Sequence, residues 1–182
     1  MKDEYQDYLS ILYQRIPDYI YEGSLSVFFL GAVLIISLRG FQEGWKAVGN
    51  LFLVEYIFLV YCSAVIYRVT NESAKYKPFS IVNYKELFRD GSFYIHPELF
   101  LNILMFVPLG LFISMIYDSL KWWHELMICC GMSVSIEVLQ FVMRRGTTEI
   151  GDVIHNAIGC LIGIGVYSII RKAYIIHKKK TR

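Results

Sequence analysis

The chain has 182 residues, of which 55% are hydrophobic and 16% aromatic, with a mean hydropathy of +0.44 and a formal net charge of +2. A soluble domain of this size has no use for several unbroken apolar runs of about 20 residues, so the composition places the chain in a membrane. The near-neutral charge provides no long-range field of the kind that draws nucleic acid, and no nucleic-acid partner is expected.

Ahead of the first apolar run, Tyr5, Tyr8, Leu9, Leu12, Tyr13 and Ile16 are spaced for one helical face. They fit a short helix on the membrane surface or a disordered tail. This stretch is acidic (Asp3, Glu4, Asp7) and has no basic region of the secretory type. The first run is therefore expected to stay as a helix.

Five membrane spans follow by length and polarity. The first runs from Tyr19 to Leu38 and closes on Arg39-Gly40. The second runs from Asn50 to Val69, with Glu55 inside it. The third begins at His96-Pro97-Glu98, where Pro97 suits a first helical turn, and ends near Tyr117. The fourth runs from Trp122 to Met143 behind a Trp122-Trp123 anchor, and the fifth from Asp152 to Ile170. Between the second and third lies a long polar connection, Thr70 to His96, which reads as a solvated loop with an amphipathic helix or as a segment roofing a site. The expected fold is all-α: one membrane domain, a bundle of about five transmembrane helices with a long amphipathic loop between the second and third. Residues 19–49 are expected to form an N-terminal helix ahead of a four-helix unit, 50–170, and a basic tail, 171–182.

The basic residues divide evenly between the two faces. The compact tail Lys178-Lys179-Lys180 adjoins a span, where positive charge weighs most. That places the C-terminus in the cytoplasm and the N-terminus outside. The four cysteines (Cys62, Cys129, Cys130, Cys160) lie inside apolar runs without metal-ligand spacing and read as small packing residues. No metal site and no cofactor are expected.

The polar residues inside the spans carry the functional argument. Ser133, Glu137, Gln140 and Arg144 fall at offsets 0, 4, 7 and 11 and form one stripe on the fourth helix. Asp152, Asn156, Gly159 and Gly163 do the same on the fifth. Alternating crossings are expected to bring Asn102, Glu137, Gln140, Arg144, Arg145, Glu149, Asp152, His155 and Asn156 to one leaflet. Glu137 and Asn156 are expected to approach each other, with Asn102 closing the cluster. Pro108 cannot donate to the Leu104 carbonyl and is expected to bend the third helix and, with Gly110, to open room beneath the cluster. Gly159 and Gly163 permit close helix packing. Two readings stand side by side. Interhelical hydrogen bonds can simply hold a bundle together. Alternatively, ionisable groups within a membrane mark a functional site. A lone interfacial histidine such as His155 is usually structural.

The segments Asn102-Ile-Leu-Met-Phe106-Val-Pro108-Leu-Gly110, Ser135-Ile-Glu137-Val-Leu-Gln140 and Arg145-Gly-Thr-Thr-Glu149-Ile-Gly-Asp152-Val-Ile-His-Asn156-Ala-Ile-Gly159-Cys-Leu-Ile-Gly163 resemble the VanZ-like family of bacterial membrane proteins. Pro78-Phe79 in the long connection is similar to the family's proline-phenylalanine element, and the resemblance covers residues 54–167. Gly151 stands where the family often has a second acidic residue before Asp152. The resemblance implies a multi-pass protein of the bacterial cytoplasmic membrane. The founding member is associated with low-level resistance to the glycopeptide teicoplanin. Two functions from different classes fit. In the first, Asn102, Glu137, Gln140, Arg145, Glu149, Asp152 and Asn156 hold the head group of a lipid-linked or lipoglycopeptide envelope molecule at the outer leaflet. In the second, a membrane-embedded enzyme acts on a lipid or cell-wall precursor with Glu137 or Asp152 as acid-base groups. Neither a nucleophile–base pair nor an inverted repeat is evident, which favours binding over catalysis and transport.

Overall fold

The computed structural model describes residues 17–68, 97–145 and 149–180. Five helices cover almost all of them: α1 (Asp18–Gly40), α2 (Gly44–Ile66), α3 (Pro97–Ile116), α4 (Trp122–Met143) and α5 (Ile150–Lys180). Each is long and apolar enough to cross a membrane, and no strand occurs among the described residues. The protein is an all-α multi-pass membrane protein. The surface helix expected before residue 17 and the long connection after the second span lie outside the described residues.

The chain divides into two compact units. One contains α1, α2 and the end of α4 from Leu139. The other contains α3, α4 as far as Val138, and α5.

In the first unit, α1 and α2 are separated by a kink at Gly40, whose φ of 73° lies in the left-handed region that side-chain-bearing residues avoid. The second span begins at Gly44, earlier than hydropathy alone suggests, because the break needs only the few residues after Gly40. Leu25, Phe29, Leu30 and Leu38 of α1 are exposed, a surface that only lipid solvates favourably. Where the two helices meet, Phe28 and Phe52 pack edge to face with ring centroids 5.4 Å apart. α2 ends in a wider π-helical turn, Cys62–Ile66, closed by the Tyr67 N–H on the Cys62 carbonyl at 2.9 Å.

In the second unit, α3 and α5 come into backbone contact. A Cβ at Gly159 would land on the Ile103 carbonyl, one at Gly163 on the Val107 carbonyl, and one at Gly110 on the Cys160 carbonyl. The four-residue step on each helix, Ile103 to Val107 against Gly159 to Gly163, means they run in the same direction. α4 runs against α5: Ser133 meets Asn156 and, one turn away, Cys129 meets Cys160. The buried face of this unit's part of α4 is Glu125, Cys129, Ser133, Ile136 and Glu137, spaced by three and four residues as on one helical face. α3 passes unbroken through Pro108 and buries Phe106, Leu109, Ile113 and Ser114. α5 does not stop at Ile170 but continues as helix to Lys180. Its 31 residues make about 46 Å, well beyond the roughly 30 Å of a hydrocarbon core.

Candidate polar site at the start of α5

The second unit gathers a polar cluster where α4 hands over to α5. Glu137, near the end of that unit's part of α4, is only 7% exposed. Its carboxylate accepts the backbone N–H of Glu149 at 2.9 Å. Glu149 immediately precedes α5, so Glu137 sits at the positive end of that helix and supplies an acceptor to a group the helix cannot satisfy itself. Asp152 follows in the first turn of α5, with its N–H on the Glu149 carbonyl at 3.0 Å.

Asn156, 2% exposed, lies one turn further along α5. Its amide donates to Ser133 Oγ at 2.7 Å. Its carbonyl oxygen is buried and has no hydrogen-bond partner. His155, 5% exposed, places Nδ1 4.0 Å from Asp152 Oδ1, beyond hydrogen-bond range, and that nitrogen is likewise buried without a partner. Asp152, His155 and Asn156 share one helical turn at positions i, i+3 and i+4. Asn102 is half-buried on α3, next to Ile103, whose carbonyl touches Gly159.

The contacts differ from those expected of the sequence in two respects. The direct partner of Asn156 is Ser133, one turn along α4 from Glu137, because the antiparallel register pairs the two helices turn by turn. His155 belongs to the buried turn, although a single histidine near an interface carries little weight in a sequence. Ser133 was legible as the origin of the α4 stripe. Extending that stripe the other way by eight residues reaches Glu125, which accepts a hydrogen bond from Ser114 of α3 at the far end of the helix. Between them, Cys129 Sγ and Cys160 Sγ lie 2.7 Å apart as free thiols. Among the described residues, no group of three or more His, Cys, Asp or Glu side chains gathers as metal ligands.

Gln140 and Arg145 belong to the first unit, where they serve the carboxyl end of α2. The Gln140 amide donates to the Ala64 carbonyl at 2.9 Å. The Arg145 guanidinium donates to the carbonyls of Ile66 and Arg68, the latter at 3.2 Å. These are carbonyls that a helix end leaves unsatisfied, and a guanidinium fork suits several at once. Arg145 is brought there by the end of α4. Arg144 adopts φ 52°, its N–H bonds to the Phe141 carbonyl, and the Arg145 N–H bonds to the Gln140 carbonyl at 2.9 Å. That is the Schellman pattern, with an arginine where glycine is usual.

The profile of the VanZ/LLP1 family matches residues 26–171. The chain belongs to the VanZ/LLP1 family. The match begins inside α1 and ends at Arg171, so it is broader than the motif-bearing stretch 54–167. The protein is also similar to Protein VanZ of Enterococcus faecium, with 25% identity over 128 residues, covering 67% of this chain and 72% of that protein. No solved structure matches. Every residue of the polar cluster lies within the family's extent.

Proposed function

We propose that this VanZ-like protein resides in the bacterial cytoplasmic membrane and binds the head group of a lipid-linked or lipophilic envelope molecule. The site is the start of α5 and the α4 turn packed on it, with Glu137, Glu149, Asp152, Asn156 and the neighbouring Asn102 as the binding groups. In this reading the C-terminus is cytoplasmic, the N-terminus is outside and the site faces the outer leaflet, where envelope precursors and lipoglycopeptides are met. Gln140 and Arg145, also candidates from the sequence, brace the end of α2. The kinship with Protein VanZ supports a contribution to resistance against glycopeptides of the teicoplanin type.

The observation that carries the proposal is the pair of buried polar atoms on one turn, Asn156 Oδ1 and His155 Nδ1, neither with a hydrogen-bond partner. Packing alone does not ask for such atoms. A buried polar atom left unsatisfied costs about 1–3 kcal/mol, and native proteins hold only a few of them. Glu55 Oε1, His124 Nδ1 and Gln140 Oε1 are others here, but only this turn holds two on adjacent residues among the described residues. The test is to purify the protein in mild detergent and identify co-purifying lipids and envelope precursors by mass spectrometry. One species retained by the wild type and lost in Asn156→Ala supports the reading. Identical lipid profiles in both would overturn it.

A further inference from the structure

The site of the proposed function has a chemical sign. Between Pro97 and Ile116, Trp122 and Val138, and Ile150 and Ile170, the three helices of the second unit carry no lysine or arginine. The site itself carries Glu137, Glu149 and Asp152. Arg145, the nearest arginine in sequence, has its guanidinium on the carbonyls of Ile66 and Arg68. Glu137 is engaged by the Glu149 N–H. The groups that set the ligand's chemistry are on the next turn of α5. There the Asp152 carboxylate, the Asn156 carbonyl oxygen and His155 Nδ1 lie within five residues, the last two buried and without hydrogen-bond partners. All three accept hydrogen bonds when the imidazole is neutral with its proton on Nε2. A phosphate or carboxylate brings only acceptors and negative charge to such a turn. A protonated amine brings three N–H donors and a positive charge.

We infer that the site recognises a protonated primary amine on an amphiphile. The inference rests on the proposed binding function and specifies its ligand class. Asp152 supplies the counter-charge, and Asn156 Oδ1 and His155 Nδ1 accept N–H bonds. A divalent cation is a poorer match, since no set of three or more acidic, histidine or cysteine side chains gathers as ligands among the described residues. The amine has two natural sources, a phospholipid head group and an amino sugar on a lipid anchor, and the same N–H donors serve either.

The experiment uses the full chain in nanodiscs and measures retention of four probes. These are phosphatidylethanolamine, its N-acetyl derivative, dodecyl glucosaminide, and dodecyl N-acetylglucosaminide. Phosphatidylglycerol serves as an amine-free anionic lipid. The expected result is at least tenfold preference for one free amine over its N-acetylated partner. Preference within the phospholipid pair names that source, and preference within the sugar pair names the other. Asp152→Asn should abolish the preference while Asp152→Glu retains most of it, which separates loss of charge from loss of fold. Retention indifferent to N-acetylation overturns the amine assignment. If phosphatidylglycerol is retained and lost in Asp152→Asn, the amine assignment falls while the binding function stands. If no probe responds to Asp152→Asn or Asn156→Ala, both fall together.

Discussion

Asn156 of α5 donates its side-chain amide to Ser133 Oγ of α4 at 2.7 Å, and both side chains are withdrawn from the surface. The bond ties two antiparallel helices one turn beyond the Glu137 carboxylate. Its removal should be measurable. Ser133→Ala is expected to destabilise the protein by about 1 kcal/mol, the scale of interhelical hydrogen bonds in membranes. A double-mutant cycle with Asn156→Ala, read by thermal unfolding in detergent, should return a coupling of similar size. Additive effects would show that the pair contributes nothing.

Glu137→Gln and Asp152→Asn keep hydrogen-bonding capacity and remove charge. In the first variant the new amide oxygen can still accept the Glu149 N–H. Stability should therefore stay within about 1 kcal/mol of wild type, the scale of the helix-dipole contribution lost with the charge. Glycopeptide resistance or ligand retention should nevertheless fall to the level of a deletion strain. Stable variants with full activity would remove the charged site. If purified wild type released a hydrolysed product from a lipid or cell-wall precursor, and Glu137→Gln did not, the enzyme reading would replace the binding one.

The close packing of α3 and α5 makes a sharp contrast among glycines. Gly159→Ala and Gly163→Ala place a methyl group on the carbonyls of Ile103 and Val107, so the backbones must separate. A loss of about 1–3 kcal/mol is expected, as for other overpacked sites. Gly165→Ala, on the same helix with open space around it, should be neutral or stabilise by up to about 1 kcal/mol through helix propensity. Melting temperatures of the three variants decide the point. Equal effects would mean that α3 and α5 are not in backbone contact.

The end of α4 offers a paired test. Arg144 holds a left-handed backbone conformation that disfavours a side chain by about 1–2 kcal/mol. Arg144→Gly should raise stability by about 1 kcal/mol. Arg145→Met removes the donor from the carbonyls of Ile66 and Arg68 and should lower stability by about 1–2 kcal/mol. Chemical denaturation in detergent would reveal the two opposite signs, and a stabilising Arg145→Met would refute the helix-end role.

Orientation can be read by labelling. With a probe cysteine placed by Thr181→Cys, an impermeant maleimide should react only after cells are permeabilised. Reaction in intact cells would reverse the proposed topology and move the polar site to the cytoplasmic leaflet.

Length and hydropathy by themselves determined the helical class, the five spans and their approximate limits, because a bilayer imposes both a minimum apolar length and internal satisfaction of the backbone. The four-residue spacing of Ser133 and Glu137, and of Asp152 and Asn156, also determined which polar groups share a helix face. Register between helices was decided only by the tertiary structure. Periodicity says which way a side chain points around its own axis, yet not how far the neighbouring helix has slid. That slide pairs Asn156 with Ser133, gives Glu137 the Glu149 N–H, and buries His155. It likewise took the folded chain to seat Gln140 and Arg145 on the Ala64 and Ile66 carbonyls at the end of α2, 76 and 79 residues away in sequence. An arginine near a membrane surface looks the same in sequence whether it meets a ligand or a helix end. What distinguishes the two is which carbonyls lie within reach.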